Sequence, residues 1–419
     1  MKHFLIWISI TALLVSCSKS ENDTKQMARR TVIVYMSGEN NLSDYSFLPM
    51  DINEMIEGRK KVADNENLIL YVDKASSTEK PFIARITTDS KNPVDTLYKY
   101  PDDILSSDYN EFRKVLQWVV NNCPASEDYG LVLWGHANGW IFEKEATSQA
   151  PQRAYGVDTG NNSTGRSGKW MNIPSMRSAL ESLGVKWKFI FCDCCNMQNV
   201  ETAYELSGVT QYFIASPAEI TGIGAPYKEV VKDLFKHDDV AMYTGICDDY
   251  YAQVTDEHGN FTGTLNRRLP ISVVKTDMMK NLATETNKVL PQIADYLKTN
   301  PTMQGMIYYY NYYTTYHPAS ENVLYDMKDV IQAALGADSE AYKTWEKALD
   351  AAVIYKKNSG LWHSEGSVIF SDFDYTEERQ GCISMFFPLA KYSSTSHAYN
   401  TDFKKMQWYQ AVGWSSVGW

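Results

Sequence analysis

Two apolar runs in the middle of the chain each lead into a side chain that can do covalent chemistry. Residues 129–133 are followed by the segment WGHANGW, which contains His136, and residues 187–191 are followed by CDCCNM, which contains Cys195. A thiol needs a nearby imidazole to keep it ionised and nucleophilic at neutral pH, and the same imidazole can protonate a leaving amine. A cysteine and a histidine on neighbouring strand ends would therefore provide the minimum for acyl transfer.

The second segment holds three thiols, at Cys192, Cys194 and Cys195. Such crowding is unlike a disulfide framework, which spreads its cysteines out, and Cys-x-Cys-Cys matches none of the usual zinc-ligand spacings, so we predict no metal here. Alternation along a strand places Cys192 and Cys194 on one face, which gives weak support to Cys195 as the nucleophile. Cys194 as nucleophile, and all three as small buried hydrophobic residues, stay open as alternatives.

The elements around these segments predict an α/β fold. Short, nearly continuous apolar runs are typical of parallel strands buried on both faces, and they occur at residues 31–36, 67–72, 129–133, 187–191 and 211–215. Amphipathic stretches lie between them at residues 108–121, 173–183 and 199–206. Alternating strands and helices indicate a three-layer α/β/α sandwich with a mostly parallel sheet. Because active sites of such sheets lie beyond the carboxyl ends of the strands, His136 and one cysteine should emerge on the same edge.

Residues 31–266 are predicted to form this main domain, and residues 267–419 a smaller C-terminal domain packed on it. The second region has a Tyr-rich segment at 306–316, interpreted as helical, and strand-like runs at 366–370 and 382–387. A long polar loop spans residues 143–169, and loops of that length in a compact domain are usually functional.

The N-terminus predicts export. Residues 1–16 combine one lysine with an apolar run too short to be a permanent membrane helix, which is typical of a secretory signal. The run ends in Leu14-Val15-Ser16-Cys17, which resembles the lipobox of bacterial lipoproteins and implies that Cys17 is lipidated. Residues 17–30 would then be a tether, and the protein would be anchored to a bacterial membrane, in the periplasm or at the cell surface.

Composition excludes several classes of function. Hydrophobic residues make up 44% of the chain and aromatic residues 13%, so most of it should be folded. The net charge of −11 and the lack of a basic run argue against nucleic-acid binding.

Five motifs, in the same order along the chain, resemble the clostripain family of cysteine peptidases in the caspase-like clan. They are residues 34–42 (VYMSGENNL), the His136 segment, Asp193-Cys194-Cys195, residues 215–227 (ASPAEITGIGAPY) and residues 382–388 (CISMFFP). Cys195 follows His136 by 59 residues, close to the roughly 50 of caspase-like enzymes. The family's Asp-Ala-Cys is Asp-Cys-Cys here, and alanine replaces glycine after the histidine.

The resemblance implies a role for each matching residue. His136 and Cys195 would form a catalytic dyad with no third member assigned, and the backbone N–H of Ala137 would serve the oxyanion hole. Cleavage after Arg or Lys would need a carboxylate in the specificity pocket, and Asp193 stands at that position, although it could instead cap a helix. Glu219 is a second acidic candidate.

Relatives of this kind are commonly activated by self-cleavage between the histidine and cysteine strands. The long loop offers Lys144, Arg153, Arg166 and Lys169, and Arg153 is the preferred site. No cofactor is predicted: calcium is suggested by the resemblance alone, because no EF-hand-like spacing occurs. We expect a monomer that acts on peptides or proteins with basic residues. Alternatives are an esterase or amidase with the same dyad, and an inactive surface-binding lipoprotein that uses aromatic residues at 308–316.

Overall fold

The computed structural model describes residues 27–44, 46–76, 78–142, 154–160, 168–255, 269–314, 317–360, 362–364, 368–369, 373–393 and 398–419. Cys17 and Arg153, two residues singled out by the sequence, lie outside these ranges, as do most of the predicted signal and tether. The strands are β1 Ala28–Gly38, β2 Asn67–Lys74, β3 Phe82–Ile86, β4 Val94–Lys99, β5 Ser126–Gly135, β6 Tyr155–Asp158, β7 Lys169–Met171, β8 Trp187–Asp193, β9 Thr210–Ala215, β10 Ile271–Lys275, β11 Tyr308–Thr314, β12 His317–Asp326, β13 Val353–Lys357, β14 His363–Ser364, β15 Val368–Ile369 and β16 Ser384–Phe386.

The α-helices alternate with these strands along much of the chain. They are α1 Asn41–Asp44, α2 Phe47–Arg59, α3 Tyr109–Asn122, α4 Ile173–Glu181, α5 Val200–Glu205, α6 Tyr227–Leu234, α7 Asp239–Thr255, α8 Met279–Thr299, α9 Met327–Leu335, α10 Glu340–Ala352, α11 Tyr399–Phe403 and α12 Gln407–Val412. Short 3₁₀ helices span Thr276–Met278, Ala390–Ser393 and Trp414–Val417. Among the described residues, no helix combines the length and the apolar character needed to cross a membrane.

Nine strands of the described chain form one twisted sheet in the order β13-β10-β9-β8-β5-β1-β2-β3-β4. The five central strands, from β9 to β2, are parallel, and antiparallel strands extend both edges. All five strands predicted from apolar runs belong to this parallel core. The predicted α/β fold with a parallel sheet is therefore confirmed.

Helices cover both faces of the sheet because successive side chains of β1 point to opposite sides. Val32, Val34 and Met36 pack with apolar residues of α2, α6 and α7. Ile33 and Tyr35 pack on the other face, with residues of α3, α4, α5 and α8. Each fully buried apolar side chain contributes roughly 1.5–3 kcal/mol, so these two layers hold the strands in place.

Helix α3 shows how the sequence builds one of these layers. Its apolar residues Phe112, Val115, Leu116 and Val119 are all buried and follow the i, i+3, i+4, i+7 spacing of a single helix face. The side chain of Asp108 caps the helix by accepting hydrogen bonds from Asn110 N at 2.9 Å and Glu111 N at 3.2 Å.

The Tyr-rich segment at 306–316 was predicted to be helical, and this prediction is wrong. Residues Tyr308–Thr314 form strand β11, which pairs with β12 in a small sheet completed by β16. Aromatic residues favour strands, and here the cross-strand pairing outweighs an apolar spacing that also fits a helix. Strands β10 and β13 extend the main sheet, and the sheet therefore includes residues on both sides of position 266. The division into two domains at that position stays a prediction.

None of the six cysteines that the structure describes is in a disulfide. The predicted long loop contains the small antiparallel pair β6 and β7. Residues 143–153 and 161–167 of that loop, which include Lys144 and Arg166, lie outside the described ranges, whereas Lys169 is the first residue of β7.

Candidate active site

The carboxyl ends of β1, β5 and β8 meet at one edge of the sheet. The register pairs Ser37 of β1 with Gly135 of β5, and Trp134 of β5 with Asp193 of β8. His136 is the first residue after β5, and Cys195 is the second after β8. The side chains that the sequence singled out therefore emerge on neighbouring strand ends.

A cleft of about 180 Å³ lies at this edge. All five residues with a predicted chemical role near the dyad line it, namely His136, Ala137, Asp193, Cys195 and Glu219. Trp134 and Trp170 contribute aromatic rings to the wall of the cleft, and residues 220–222 (Ile-Thr-Gly) also line it. The volume is below the 300–1,000 Å³ usual for a whole small ligand, so the cleft is suited to one side chain of a larger substrate.

The backbone before His136 requires glycine. Gly135 has φ +143°, and a Cβ there would lie 2.9 Å from Ser37 O. The half-buried ring of His136 then places Nε2 2.6 Å from Asn41 Oδ1. Because an amide oxygen only accepts, Nε2 carries the proton, and the lone pair of the neutral ring lies on Nδ1. Asn41 thus fixes the tautomer that a base would need.

Only one thiol of the cysteine cluster lines the cleft. Cys192 and Cys194 are at most 1% exposed and pack in the core beneath the sheet. Burial raises the pKa of the Cys194 thiol well above its usual range, which makes it a poor nucleophile. Cys195 is half-buried, and Ile220 N points at its Sγ over 3.5 Å. An N–H donor so placed stabilises the thiolate form.

The turn after Cys195 is tied to the loop that carries His136. Asn196 adopts a left-handed conformation with φ 57°, and its Nδ2 donates to Asn138 Oδ1 at 3.3 Å. Asn199 Nδ2 donates to Asn196 O at 2.9 Å and holds the turn from the other side. These amide contacts keep the two reactive loops in register without placing a charge between them.

Ala137 forms an isolated bridge with Tyr155 of β6. Its two hydrogen bonds run from Asn138 N to Ala154 O and from Gly156 N to His136 O, both at 2.8 Å. Neither uses the N–H of Ala137, so the bridge fixes the peptide plane without consuming that donor. Alanine in place of the family's glycine is compatible with this conformation.

Asp193 is a buried carboxylate, only 2% exposed, held by several donors. It accepts hydrogen bonds from Tyr227 Oη at 2.8 Å, Tyr250 Oη at 2.9 Å and Ala225 N at 3.0 Å. Desolvation raises its pKa to about 6, and these donors limit the rise. Gly224, with φ +69°, packs so closely that a Cβ would lie 2.7 Å from Asp193 Oδ2. Asp193 therefore stays largely ionised at neutral pH inside the cleft.

Sequence reasoning missed two groups at this site. Asp51 of α2 accepts from Trp134 Nε1 at 2.6 Å, and burial, followed by the charge of Asp193, raises its pKa to about 9. It is thus a neutral acid at pH 7, and no local spacing signals it. Asn41 belongs to the motif at residues 34–42 that was identified in the sequence, but its partner His136 is 95 residues away along the chain.

Comparisons with known proteins agree with this arrangement. The clostripain family model matches residues 34–419. A secreted C11 cysteine protease from Bacteroides thetaiotaomicron, solved with an irreversible peptide inhibitor, is 30% identical, with a TM-score of 0.74, over 93% of this chain and 100% of its own.

Two further structures show the same fold. An inactive zymogen C11 protease from Parabacteroides distasonis is 24% identical, with a TM-score of 0.72, over 92% of this chain and 98% of its own. A second secreted C11 protease from B. thetaiotaomicron, iotapain, is 21% identical, with a TM-score of 0.68, over 92% and 99%. No curated protein matches this chain. Together with the cleft at the carboxyl edge of the sheet, the family match over nearly the whole length establishes that this chain belongs to the clostripain family of cysteine proteases, which act on peptide substrates.

Proposed function

We propose that the protein is an exported, lipid-anchored endopeptidase that cleaves after Arg or Lys, with Cys195 as nucleophile and His136 as its base. The observation that carries the specificity is Asp193, a buried carboxylate that lines the same cleft as the thiol. A buried negative charge in the lining of a cleft selects a cationic side chain, because a neutral one would leave that charge unpaired.

Acyl transfer would use the donors already described. His136 takes the thiol proton from Cys195, and the thiolate attacks the carbonyl carbon of the substrate. The N–H of Ala137 would donate to the oxygen that becomes negative. The imidazolium then gives its proton to the leaving amine, and water, deprotonated by the same ring, hydrolyses the thioester.

The walls of the cleft also favour a basic side chain. Trp134 and Trp170 line it, and aromatic faces attract a guanidinium or ammonium group. Asp51 lies behind Trp134 as a neutral acid, so the charge that the substrate meets is that of Asp193. Half-buried Glu219 adds a weaker, partly screened attraction.

Hydrolysis of fluorogenic peptides ending in Arg, Lys, Asp or Leu tests the proposal. We expect turnover of the Arg and Lys peptides alone, and its loss in Cys195→Ala. Cys194→Ala is the matched control, since that thiol is buried in the core and should be dispensable. Turnover that survives in Cys195→Ala but not in Cys194→Ala would move the nucleophile to Cys194, and cleavage after Leu or Asp would refute the specificity.

Self-cleavage after Arg153 would activate the enzyme. The following residue, Ala154, is fully buried, and its carbonyl accepts from Asn138 N beside His136. A cut at this bond would leave a new N-terminus held against the catalytic loop. We expect two fragments on a denaturing gel for the wild type and one intact band for Cys195→Ala, with Arg153→Gln slowing the conversion. A wild-type protein that is active as a single band would contradict this step.

Anchoring would occur through a lipid on Cys17. The solved B. thetaiotaomicron relatives are described as secreted, which supports export, and the lipobox-like Leu14-Val15-Ser16-Cys17 supports the anchor. Metabolic labelling with an alkyne fatty acid should mark the wild type and not Cys17→Ala.

The residues that line the cleft fall between 41 and 224, which supports residues 31–266 as the catalytic domain.

A further inference from the structure

Trp134 and Asp193 are neighbours across two strands at the cleft. The register of β5 and β8 pairs them, and both side chains point to the face of the sheet that α2, α6 and α7 cover. Both residues line the cleft, although only 3% of Trp134 and 2% of Asp193 is exposed. An aromatic ring and a buried carboxylate thus stand side by side in the lining of the cleft.

The indole of Trp134 is held at two of its edges. Its Nε1 donates to Asp51 Oδ2 at 2.6 Å. At the six-membered ring, a Cβ on Gly38 would lie 3.3 Å from Cζ3, and the same Cβ would lie 2.6 Å from Leu48 Cδ1. Glycine at the end of β1 therefore leaves room for the ring and for α2 to pack closely. Together these contacts restrict the ring to one orientation.

Asp51 is poorly suited to a role in packing alone. It is 1% exposed, and its Oδ1 has no hydrogen-bond partner among the residues that the structure describes. A buried polar atom left unpaired destabilises the fold, and an apolar side chain of similar size would avoid that loss. Native proteins depart from this rule mainly at functional sites. The contact with Trp134, a residue of the cleft, indicates which function Asp51 serves.

Asp51 holds the ring without adding a charge to the cleft. Burial, followed by the charge of Asp193, raises the pKa of Asp51 to about 9, so at pH 7 it is a neutral acid. With the proton on Oδ1, Oδ2 still accepts the hydrogen bond from the indole. Asp51 therefore does not compete with Asp193 for a basic side chain.

We propose that Asp51 is a positioning residue for the substrate: it holds the Trp134 ring beside Asp193, so that an arginine side chain stacks on the ring while its charge pairs with the carboxylate. The inference rests on the proposed cleavage after basic residues. A guanidinium group is planar and stacks on aromatic rings, whereas an ammonium group is a compact, strongly hydrated charge. The fixed ring therefore favours Arg more than Lys, and it acts on substrate binding and not on the chemical step.

Steady-state kinetics on two peptides that differ only in Arg or Lys at the cleavage site tests the inference. In Asp51→Leu, which removes the acceptor, KM for the Arg peptide should rise about 10-fold, the factor that a desolvated cation–π contact supplies. In the same variant kcat should stay within about 3-fold, because the ring contacts the substrate equally before and during the reaction. KM for the Lys peptide should rise less than about 3-fold, since an ammonium stacks poorly. Equal rises in KM for the two peptides, or a fall in kcat with unchanged KM, would overturn the inference.

Asp51→Asn is the conservative variant. Its amide oxygen can still accept from Trp134 Nε1, so KM for the Arg peptide should stay within about 3-fold of the wild type. A rise as large as that in Asp51→Leu would show that an acceptor for the indole is not what the enzyme needs at this position. Thermal unfolding of each variant shows that it is folded.

A double-mutant cycle tests whether Asp51 acts through Trp134. Trp134→Phe keeps an aromatic ring but has no N–H to donate, and it should show the same rise in KM for the Arg peptide. Adding Asp51→Leu to Trp134→Phe should then change KM no further. Additive effects in the double variant would refute the inference, because Asp51 would then act by another route. If Asp51→Leu does not fold, Trp134→Phe and Asp51→Asn provide the test.

The inference and the proposed function fail in different ways. A wild-type enzyme that cleaves after neither Arg nor Lys would refute the proposed function, and this inference with it. An enzyme that cleaves after both, with a KM that Asp51→Leu leaves unchanged, would refute the positioning role alone.

Discussion

Asn41→Ala should slow catalysis without weakening substrate binding. The change removes the 2.6 Å contact between Asn41 Oδ1 and His136 Nε2. During the reaction His136 becomes a charged imidazolium, and a net hydrogen bond to a charged group contributes about 1.5–3 kcal/mol when buried. Both side chains are half-buried here, so we take about 1–2 kcal/mol. That corresponds to a fall in kcat of roughly 5- to 30-fold.

Steady-state kinetics on an Arg peptide provides the assay, with thermal unfolding as the check on folding. KM should change little, because Asn41 acts on the ring of His136 and not on the side chain held by Asp193. Asn41→Asp, which restores an acceptor of the same size, should recover most of kcat and move the pH profile. An Asn41→Ala enzyme that folds normally and keeps the wild-type kcat would show that the tautomer of His136 is set by something else.

Further predictions concern the buried acids and the second thiol. Asp193→Asn should lower kcat/KM for Arg peptides about 100-fold, because truncating one partner of a buried charge pair costs about 2–5 kcal/mol. Glu219→Gln changes a half-exposed position and should lower kcat/KM less than about 10-fold. Equal losses in the two variants would refute the assignment of Asp193 as the main specificity residue. Cys194→Ser should leave kcat within about 3-fold of the wild type, and a loss as large as that of Cys195→Ala would refute the core role of Cys194. Asp51, whose pKa is about 9 in the fold, binds a proton that the unfolded chain loses above about pH 4, so its burial destabilises the protein increasingly as pH rises towards 9. Asp51→Asn should therefore raise stability on the order of 1–4 kcal/mol at pH 8 and much less at pH 5, and denaturation at both pH values will show whether the gain grows with pH.

The sequence was sufficient for the parallel core because burial on both faces leaves a strong local signal. Strands β1, β2, β5, β8 and β9 all contain nearly continuous apolar runs. The tyrosine segment of β11 failed as a helix prediction because its apolar spacing fits both elements, and only pairing with β12 decides between them. The edge strands β3 and β4 are half-exposed in part, so their pattern is weak, and they were not predicted.

At the site, the sequence could predict the residues that come directly after a strand. It could not predict the residues whose contacts are with side chains far away in the sequence. His136, Ala137, Asp193, Cys195 and Glu219 all line the cleft, because each stands at or just beyond the carboxyl end of a predicted strand. Asn41 and Asp51 act through partners distant in sequence, since His136 is 95 residues after Asn41 and Trp134 is 83 residues after Asp51. Residue patterns within a short stretch of sequence do not reveal such pairs.

The buried acids at this edge of the sheet are accommodated in different ways, and the difference bears on specificity. Tyrosine and backbone donors keep Asp193 charged. Asp51 has a single donor, and it takes up a proton. Neither carboxylate oxygen of Asp73 has a hydrogen bond of normal geometry, and burial, followed by the charges of its acidic neighbours, raises its pKa well above the usual range. Of these three residues only Asp193 lines the cleft, so a basic side chain entering it meets one prepared negative charge. The proposed cleavage after Arg or Lys depends on that separation of environments, because a cleft that exposed several ionised carboxylates would repel itself electrostatically, whereas a single charged group can pair with one basic side chain.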